Sequence, residues 1–180
     1  MSGNVDTEDI IKRAYDLAYE NEARYGCCPQ AVLAAIQDLF GHIPDEVIKS
    51  VHGLAGGTGL STKGTCGALV GGITALSYFF GRPRDQFGEG RYENNYDLSQ
   101  DLYDRFVIEI GSPICRDVQE TLMDRSYQIS DPEEYDKFEE QGAHVDKCPS
   151  VTGRVASWTA EMLIDNGVDP VSDDLFTREN

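Results

Sequence analysis

Five cysteines are the residues best suited to chemistry in this 180-residue sequence, and four of them share a setting. Cys28 precedes Pro29, Cys66 follows Thr65, Cys115 lies two residues after Pro113, and Cys148 precedes Pro149. Each place reads as a helix N-terminus or its first turn. There, unpaired backbone N–H groups and the positive end of the helix dipole stabilise negative charge. A thiol so placed ionises more easily, and the thiolate is both the nucleophile and the metal ligand. The spacings of 38, 49 and 33 residues are too long for a zinc ribbon or a ferredoxin run. A shared site must therefore be assembled by the tertiary fold. Cys66 is expected at its centre, because the helix that follows it is the most apolar. Cys27 cannot easily point the same way as Cys28 and is expected outside the group. The alternative at every position is that the cysteine serves only as a small buried hydrophobe.

Other candidates are weaker. Eight of the twenty residues from Gly53 to Gly72 are glycine. Gly59 and Gly64 have phosphate-loop spacing, but Thr65-Cys66 replaces the Lys-Ser/Thr pair and no apolar strand precedes. The segment is read instead as a flexible loop that brings backbone close to Cys66, with Gly67, Gly71 and Gly72 permitting close approach. His144 stands four residues before Cys148, a spacing compatible with metal binding, yet reads as a surface residue beside Asp146 and Lys147. His42 falls in an exposed turn. His52 is the best placed of the three histidines for proton transfer. There is no G-x-S-x-G or H-E-x-x-H pattern. The pairs Glu133-Glu134 and Glu139-Glu140 lie in the acidic stretch from Ser130 to Gln141, read as a solvated short helix or loop.

The elements that must position these residues are helical. Apolar faces recur at helical spacing in Ile10, Ile11, Ala14, Leu17 and Ala18, then in Val32, Ala35, Ile36, Leu39 and Phe40. Val47, Ile48 and Val51 follow Pro44. The run from Ala68 to Phe80 is apolar on most sides and belongs at the centre of the domain. Leu98, Leu102, Phe106 and Ile110 step by four, and Val118 and Leu122 follow Pro113. Val151, Val155, Trp158 and Met162 carry a last helix. Strand signals are almost absent. The expectation is one all-α, compact domain of six to eight helices over residues 1–168, with a polar tail over 169–180.

Composition narrows the function classes. Fifteen Lys plus Arg against 32 Asp plus Glu give a formal charge of −17. That disfavours nucleic acid and anionic membrane, which need a basic surface. The longest weakly polar stretch, Leu69 to Phe80, is well short of the ~20 residues of a membrane span. The first ten residues lack a signal-peptide layout, and the odd cysteine count does not suit a secreted disulfide scaffold. The expectation is a soluble, cytoplasmic chain with reduced or metal-bound thiols.

The strings CPQAVLAAI at Cys28, GGTGLSTKGTCGALVGGITAL around Cys66, GSPICRDV at Cys115 and CPSVTGRVASWTAEML at Cys148 resemble the C-GCAxxG-C-C family over about Ala14 to Leu163. Members are described as redox-active and are found mainly in anaerobic bacteria and archaea. The family name writes its central motif G-C-A-x-x-G, whereas Cys66-Gly67-Ala68-Leu69-Val70-Gly71 has the order C-G-A-x-x-G. The stretch between Cys115 and Cys148 is also long. The resemblance implies a helical domain and a redox or metal role for Cys28, Cys66, Cys115 and Cys148. A related domain occurs in split-Soret cytochrome c, which carries an iron–sulfur cluster and haem. No C-x-x-C-H string is present, so covalent c-type haem is not expected.

Three functional expectations follow. The first is a cytoplasmic oxidoreductase or electron-transfer component that binds an iron–sulfur cluster, of the [2Fe–2S] type, through the four thiolates. The second is a thiol/disulfide enzyme in which Cys66 is the reactive thiol, resolved by Cys28, Cys115 or Cys148. The third is an accessory or subunit module that forms a homo-oligomer or docks on a redox partner protein.

Overall fold

The computed structural model describes residues 7–171. Among them the chain forms eight α-helices and no strand: α1 (Thr7–Tyr25), α2 (Cys28–Phe40), α3 (Asp45–Ser50), α4 (Gly67–Phe80), α5 (Glu93–Ile110), α6 (Cys115–Met123), α7 (Pro132–Glu140) and α8 (Cys148–Asp165). Short 3₁₀ turns at His52–Leu54 and Arg84–Gln86 and a π-helical turn at Ala143–Lys147 complete the path. This is the expected all-α architecture.

The apolar stripes find one another. α1 lies against α8, α2 packs on both, and α4 fits among α2, α5 and α8. Ile10, Ala14 and Ala18 of α1, Leu33 and Ile36 of α2, Leu69 and Leu76 of α4, Leu102 and Phe106 of α5, and Val155 and Leu163 of α8 share one continuous core. Each of its large side chains contributes about 1.5–3 kcal/mol by leaving water. The central position of α4 depends on size as well as hydrophobicity. A Cβ on Gly72 would come within 2.8 Å of Leu102, Val155 and Thr159, so only glycine lets α4 sit this close to α5 and α8.

A smaller cluster of Met123, Tyr127, Ile129, Phe138 and Ala143 lies beside this core. It corrects the reading of Ser130 to Gln141 as merely solvated. Asp131 caps α7 by accepting hydrogen bonds from the backbone N–H groups of Glu133 and Glu134 at 3.0 and 3.1 Å. One face of α7 is acidic and exposed, while Phe138, on the other, is 3% exposed. Two aromatics in nine residues, Tyr135 and Phe138, are all that marks this face in the sequence.

The Gly-rich segment is not loose either. Backbone runs left-handed from Gly56 through Leu60, with positive φ at Gly56, Gly57, Thr58, Gly59 and Leu60. Thr58 and Leu60 carry side chains in a region that costs roughly 1–2 kcal/mol per residue. The segment is closed internally by hydrogen bonds from Thr62 N–H to the Gly56 carbonyl at 2.8 Å and from Gly64 N–H to the Gly57 carbonyl at 3.0 Å. At the other end of the chain, Val171 N–H donates to the Leu39 carbonyl at 2.8 Å. Residues 172–180 of the expected tail lie outside the described residues.

The candidate cysteine site

All four motif cysteines occupy helix starts. Cys28, Cys115 and Cys148 are the first residues of α2, α6 and α8, and Cys66 is the N-cap of α4. Local chemistry sets each one. Gly26 and Cys27 both adopt left-handed backbone, which turns the chain sharply from α1 into α2. The turn separates the adjacent cysteines. Cys28 packs against the main core, while Cys27 faces His52, with its Sγ 3.7 Å from Nδ1. The same Nδ1 lies 3.1 Å from Gln30 Oε1.

Cys66 and Cys115 are tied together through backbone. Cys66 N–H donates to the Pro113 carbonyl at 2.7 Å, and Cys115 N–H to the Gly64 carbonyl at 3.0 Å. A single antiparallel bridge between Thr65 and Ile114 lies between them. The glycine segment thus brings backbone up to the thiols, as expected, but as a fixed wall. A Cβ on Gly57 would stand 2.8 Å from Cys115 Cβ, and one on Gly67 would stand 3.2 Å from Cys28 Cβ. Cys148 follows the π-helical turn that carries His144.

These starts converge on one cavity of about 560 Å³, lined by Cys27, Cys28, Cys115 and Cys148 together with His52, Gln119, Tyr135, Phe138 and His144. Cys66 does not line it. It lies deeper, 6% exposed, in the core. Cys66 and Cys148 each stand within electrostatic reach of the other three motif thiols. Cys66 is the innermost member of the group, and it shares its reach to the other thiols with Cys148. Among the described residues, no three His, Cys, Asp or Glu side chains form a group that could hold one metal ion. All five cysteines are free thiols.

The electrostatics correct one inference from the helix starts. Burial raises every one of these thiols above its ordinary value. Cys66 is pushed up to about 12 and Cys115 to about 11, with Cys28 and Cys148 also well above the usual range. Helix-start N–H groups do act: those of Ala68 and Leu69 pull Cys66 down, and the Gln119 side chain pulls Cys115 down. Desolvation outweighs them because it penalises the whole charge, whereas the terminal dipole offers about 0.3–1 kcal/mol.

One residue of the site was misread in the sequence, and two, Phe138 and Glu22, were not singled out there. His144 is not an ordinary surface residue. Its Nδ1 lies 2.5 Å from Glu139 Oε1, and its Nε2 is 3.7 Å from Glu22 Oε1. Phe138 stacks edge-on against its ring at 5.6 Å. Glu22, on α1, is fully buried, with the Cys28 thiol and His144 Nε2 as the polar neighbours of its carboxyl group. Burial raises its carboxyl above the ordinary carboxylate range, and it lies within electrostatic reach of all five cysteines. The available signal was its register. Ile10, Ala14, Ala18 and Glu22 step by four, so the carboxylate falls on the core stripe.

The family model described as "Putative redox-active protein (C_GCAxxG_C_C)" matches residues 26–162 and takes in all four helix starts. The chain belongs to this C-GCAxxG-C-C family. No curated protein and no solved structure matches it. The family match contains the four motif cysteines, Cys27 and His144, and begins after Glu22. Among the described residues no helix is long and apolar enough to cross a membrane.

Proposed function

We propose that Cys28, Cys66, Cys115 and Cys148 together hold an iron–sulfur cluster of the [2Fe–2S] type, and that the chain is an electron-transfer component of the reducing cytoplasm serving a redox partner protein. One observation carries this reading: four thiols come from four separate helix starts, three of them line a single cavity, and Cys66 and Cys148 each stand within electrostatic reach of the other three. The donor set suits the group, since four thiolates are the usual ligands of such clusters. A body with more than one iron also asks for donors spread around it rather than three gathered on one point.

The cluster, when bound, supplies reversible one-electron transfer. The chain's own residues do the rest. Ala68 and Leu69 N–H groups and the Gln119 amide stabilise negative charge on Cys66 and Cys115. Phe138 and Tyr135 line the cavity and give its wall aromatic surface. Burial raises the thiols, and this weighs against Cys66 as a free nucleophile, because only the thiolate attacks. It weighs less against a ligand role, because a bound metal deprotonates its thiols outright.

Purification without oxygen, followed by iron and acid-labile sulfide analysis and absorption spectra, tests the reading. Both elements and a visible charge-transfer band are expected. They should be lost on replacing Cys66 or Cys148 by serine. A colourless protein lacking iron and sulfide under those conditions overturns it.

A further inference from the structure

The cavity beside the cysteines is larger than a cluster needs. Its volume of about 560 Å³ falls within the roughly 300–1,000 Å³ of small-molecule sites, whereas a [2Fe–2S] core is only two irons and two sulfides. The wall selects by charge and shape. None of the residues that line it is Lys, Arg, Asp or Glu. An anion would find no cation there, and the formal charge of −17 opposes one further. The wall is apolar and aromatic instead, with Tyr25, Leu60 and Ile129 among its residues. Tyr135, Phe138 and His144 pack ring against ring, with centroids 5.6 to 6.5 Å apart. Such a surface suits a flat ring, stacked or edge-on.

The two histidines of the wall add direction. Gln30 Nε2 donates to the Ile48 carbonyl at 3.1 Å, which turns Gln30 Oε1 toward His52 Nδ1, also at 3.1 Å. Glu139 Oε1 lies 2.5 Å from His144 Nδ1. Both oxygens only accept, so each Nδ1 carries the ring proton and each neutral ring leaves Nε2 as a bare acceptor. Neither Nε2 has a hydrogen-bond partner among the described residues, since the Glu22 carboxyl stops 3.7 Å from that of His144. A Cβ on Gly26, another residue of the wall, would stand 3.6 Å from the same atom, so glycine keeps the approach to it clear.

We propose that the cavity binds an uncharged, flat aromatic molecule bearing hydroxyl groups, of the hydroquinone class, which packs on Tyr135 and Phe138 and donates its hydroxyl hydrogens to Nε2 of His52 and His144. As an account of what a redox site takes in, the inference rests on the cluster reading, while the wall that recognises the ring stands without a cluster. The two unused acceptors decide among flat ligands. An ether or a quinone carbonyl has no hydrogen to offer them. A quaternary ammonium, though drawn to aromatic faces, has none either.

The full chain, purified without oxygen, is titrated with dihydroxynaphthalene under the same conditions, and binding is read by equilibrium dialysis. Dimethoxynaphthalene, naphthoate and naphthyltrimethylammonium are the comparisons. Saturable binding of the dihydroxy compound is expected, with the dimethoxy compound weaker by about three- to tenfold or more, as lost hydrogen bonds would make it. His52→Ala, at an exposed residue, and His144→Phe, which keeps a ring but not Nε2, should each weaken the dihydroxy compound by about three- to tenfold and leave the dimethoxy compound unchanged. Equal affinity for the two compounds overturns the proposal, as does tighter binding of the naphthoate or the ammonium. Equal loss of both in His52→Ala, or no saturable binding, does the same. Protein that holds iron and sulfide but takes no dihydroxynaphthalene overturns this inference and leaves the cluster reading. Protein without iron and sulfide that shows the expected ligand pattern overturns the cluster reading and leaves the ligand site.

Discussion

The bundle core and the cysteine cavity are both buried, and they differ in what burial is used for. In the core, polar atoms are scarce and mostly satisfied. Thr159, fully buried on α8, donates its hydroxyl to the Val155 carbonyl at 2.8 Å. At and beneath the cavity lie four thiols and the Glu22 carboxyl, and burial pushes all their protonation equilibria upward. One helix takes part in both. The first turns of α1 add Ile10, Ala14 and Ala18 to the bundle, and the same stripe then delivers Glu22 to the thiols. Stability resides in the first region, and the second gives some of it up to enclose titratable groups.

Mutations should separate the two. The largest loss is expected from Phe106→Ala, which empties a fully buried site on α5 and should cost about 3–5 kcal/mol. Urea unfolding measures it, and a shift in midpoint worth less than ~1 kcal/mol would show that the bundle is not where stability resides. Gly72→Val comes next. Its Cβ meets Leu102, Val155 and Thr159, so an overpacking cost of about 1–3 kcal/mol is expected in the same assay. Both changes should act on unloaded protein, where serine or alanine at Cys148 acts mainly on iron content.

A pH series sharpens the contrast. Cys66 ionises at about 12 and Cys115 at about 11 in the folded protein, whereas an unfolded thiol ionises near 8.5. The native state therefore keeps protons that the unfolded chain releases. The stabilising contribution is complete below about pH 8.5 and is lost as pH climbs toward 11 to 12. The urea midpoint of the unloaded, reduced protein should fall between about pH 7.5 and 10, and fall less in the Cys66→Ala, Cys115→Ala double variant. Equal slopes in the two proteins would contradict the upward shifts.

The smallest effect is expected at α7, whose Tyr135 and Phe138 line the cavity. Removing the α7 cap by Asp131→Ala should cost about 1 kcal/mol, read as faster alkylation of Cys148 than in wild type. In both proteins the half-exposed Cys27 should react before Cys66. Labelling of Cys66 ahead of Cys27 would place the mouth of the site elsewhere.

Much of this was legible in the sequence. Stripes such as Leu98, Leu102, Phe106 and Ile110 declare their buried face because helix period and hydrophobicity agree. The cysteines declare helix starts because proline or a capping context accompanies them. What escaped the sequence depends on tertiary placement. α7 has too few apolar residues for periodicity to reveal that Tyr135 and Phe138 face a cavity. The lowered thiol equilibria inferred from helix dipoles failed because the depth of burial is set by neighbours far along the chain. Glu22 was missed because a carboxylate at a core register counts against burial, and only packing by α2, α8 and the π-helical turn shows that it is enclosed.

The convergence of four distant helix starts also imposes an order in time. The sulfurs are contributed by residues 28 through 148, and the last of them arrives only when α8 has packed against α1 and α2. A nascent chain that has not yet produced α8 holds an incomplete donor set, and a fragment ending before Cys148 never completes one. Under the cluster reading, loading waits for α8, and the cavity that Tyr25, Leu60 and Tyr135 help to line is where it would take place.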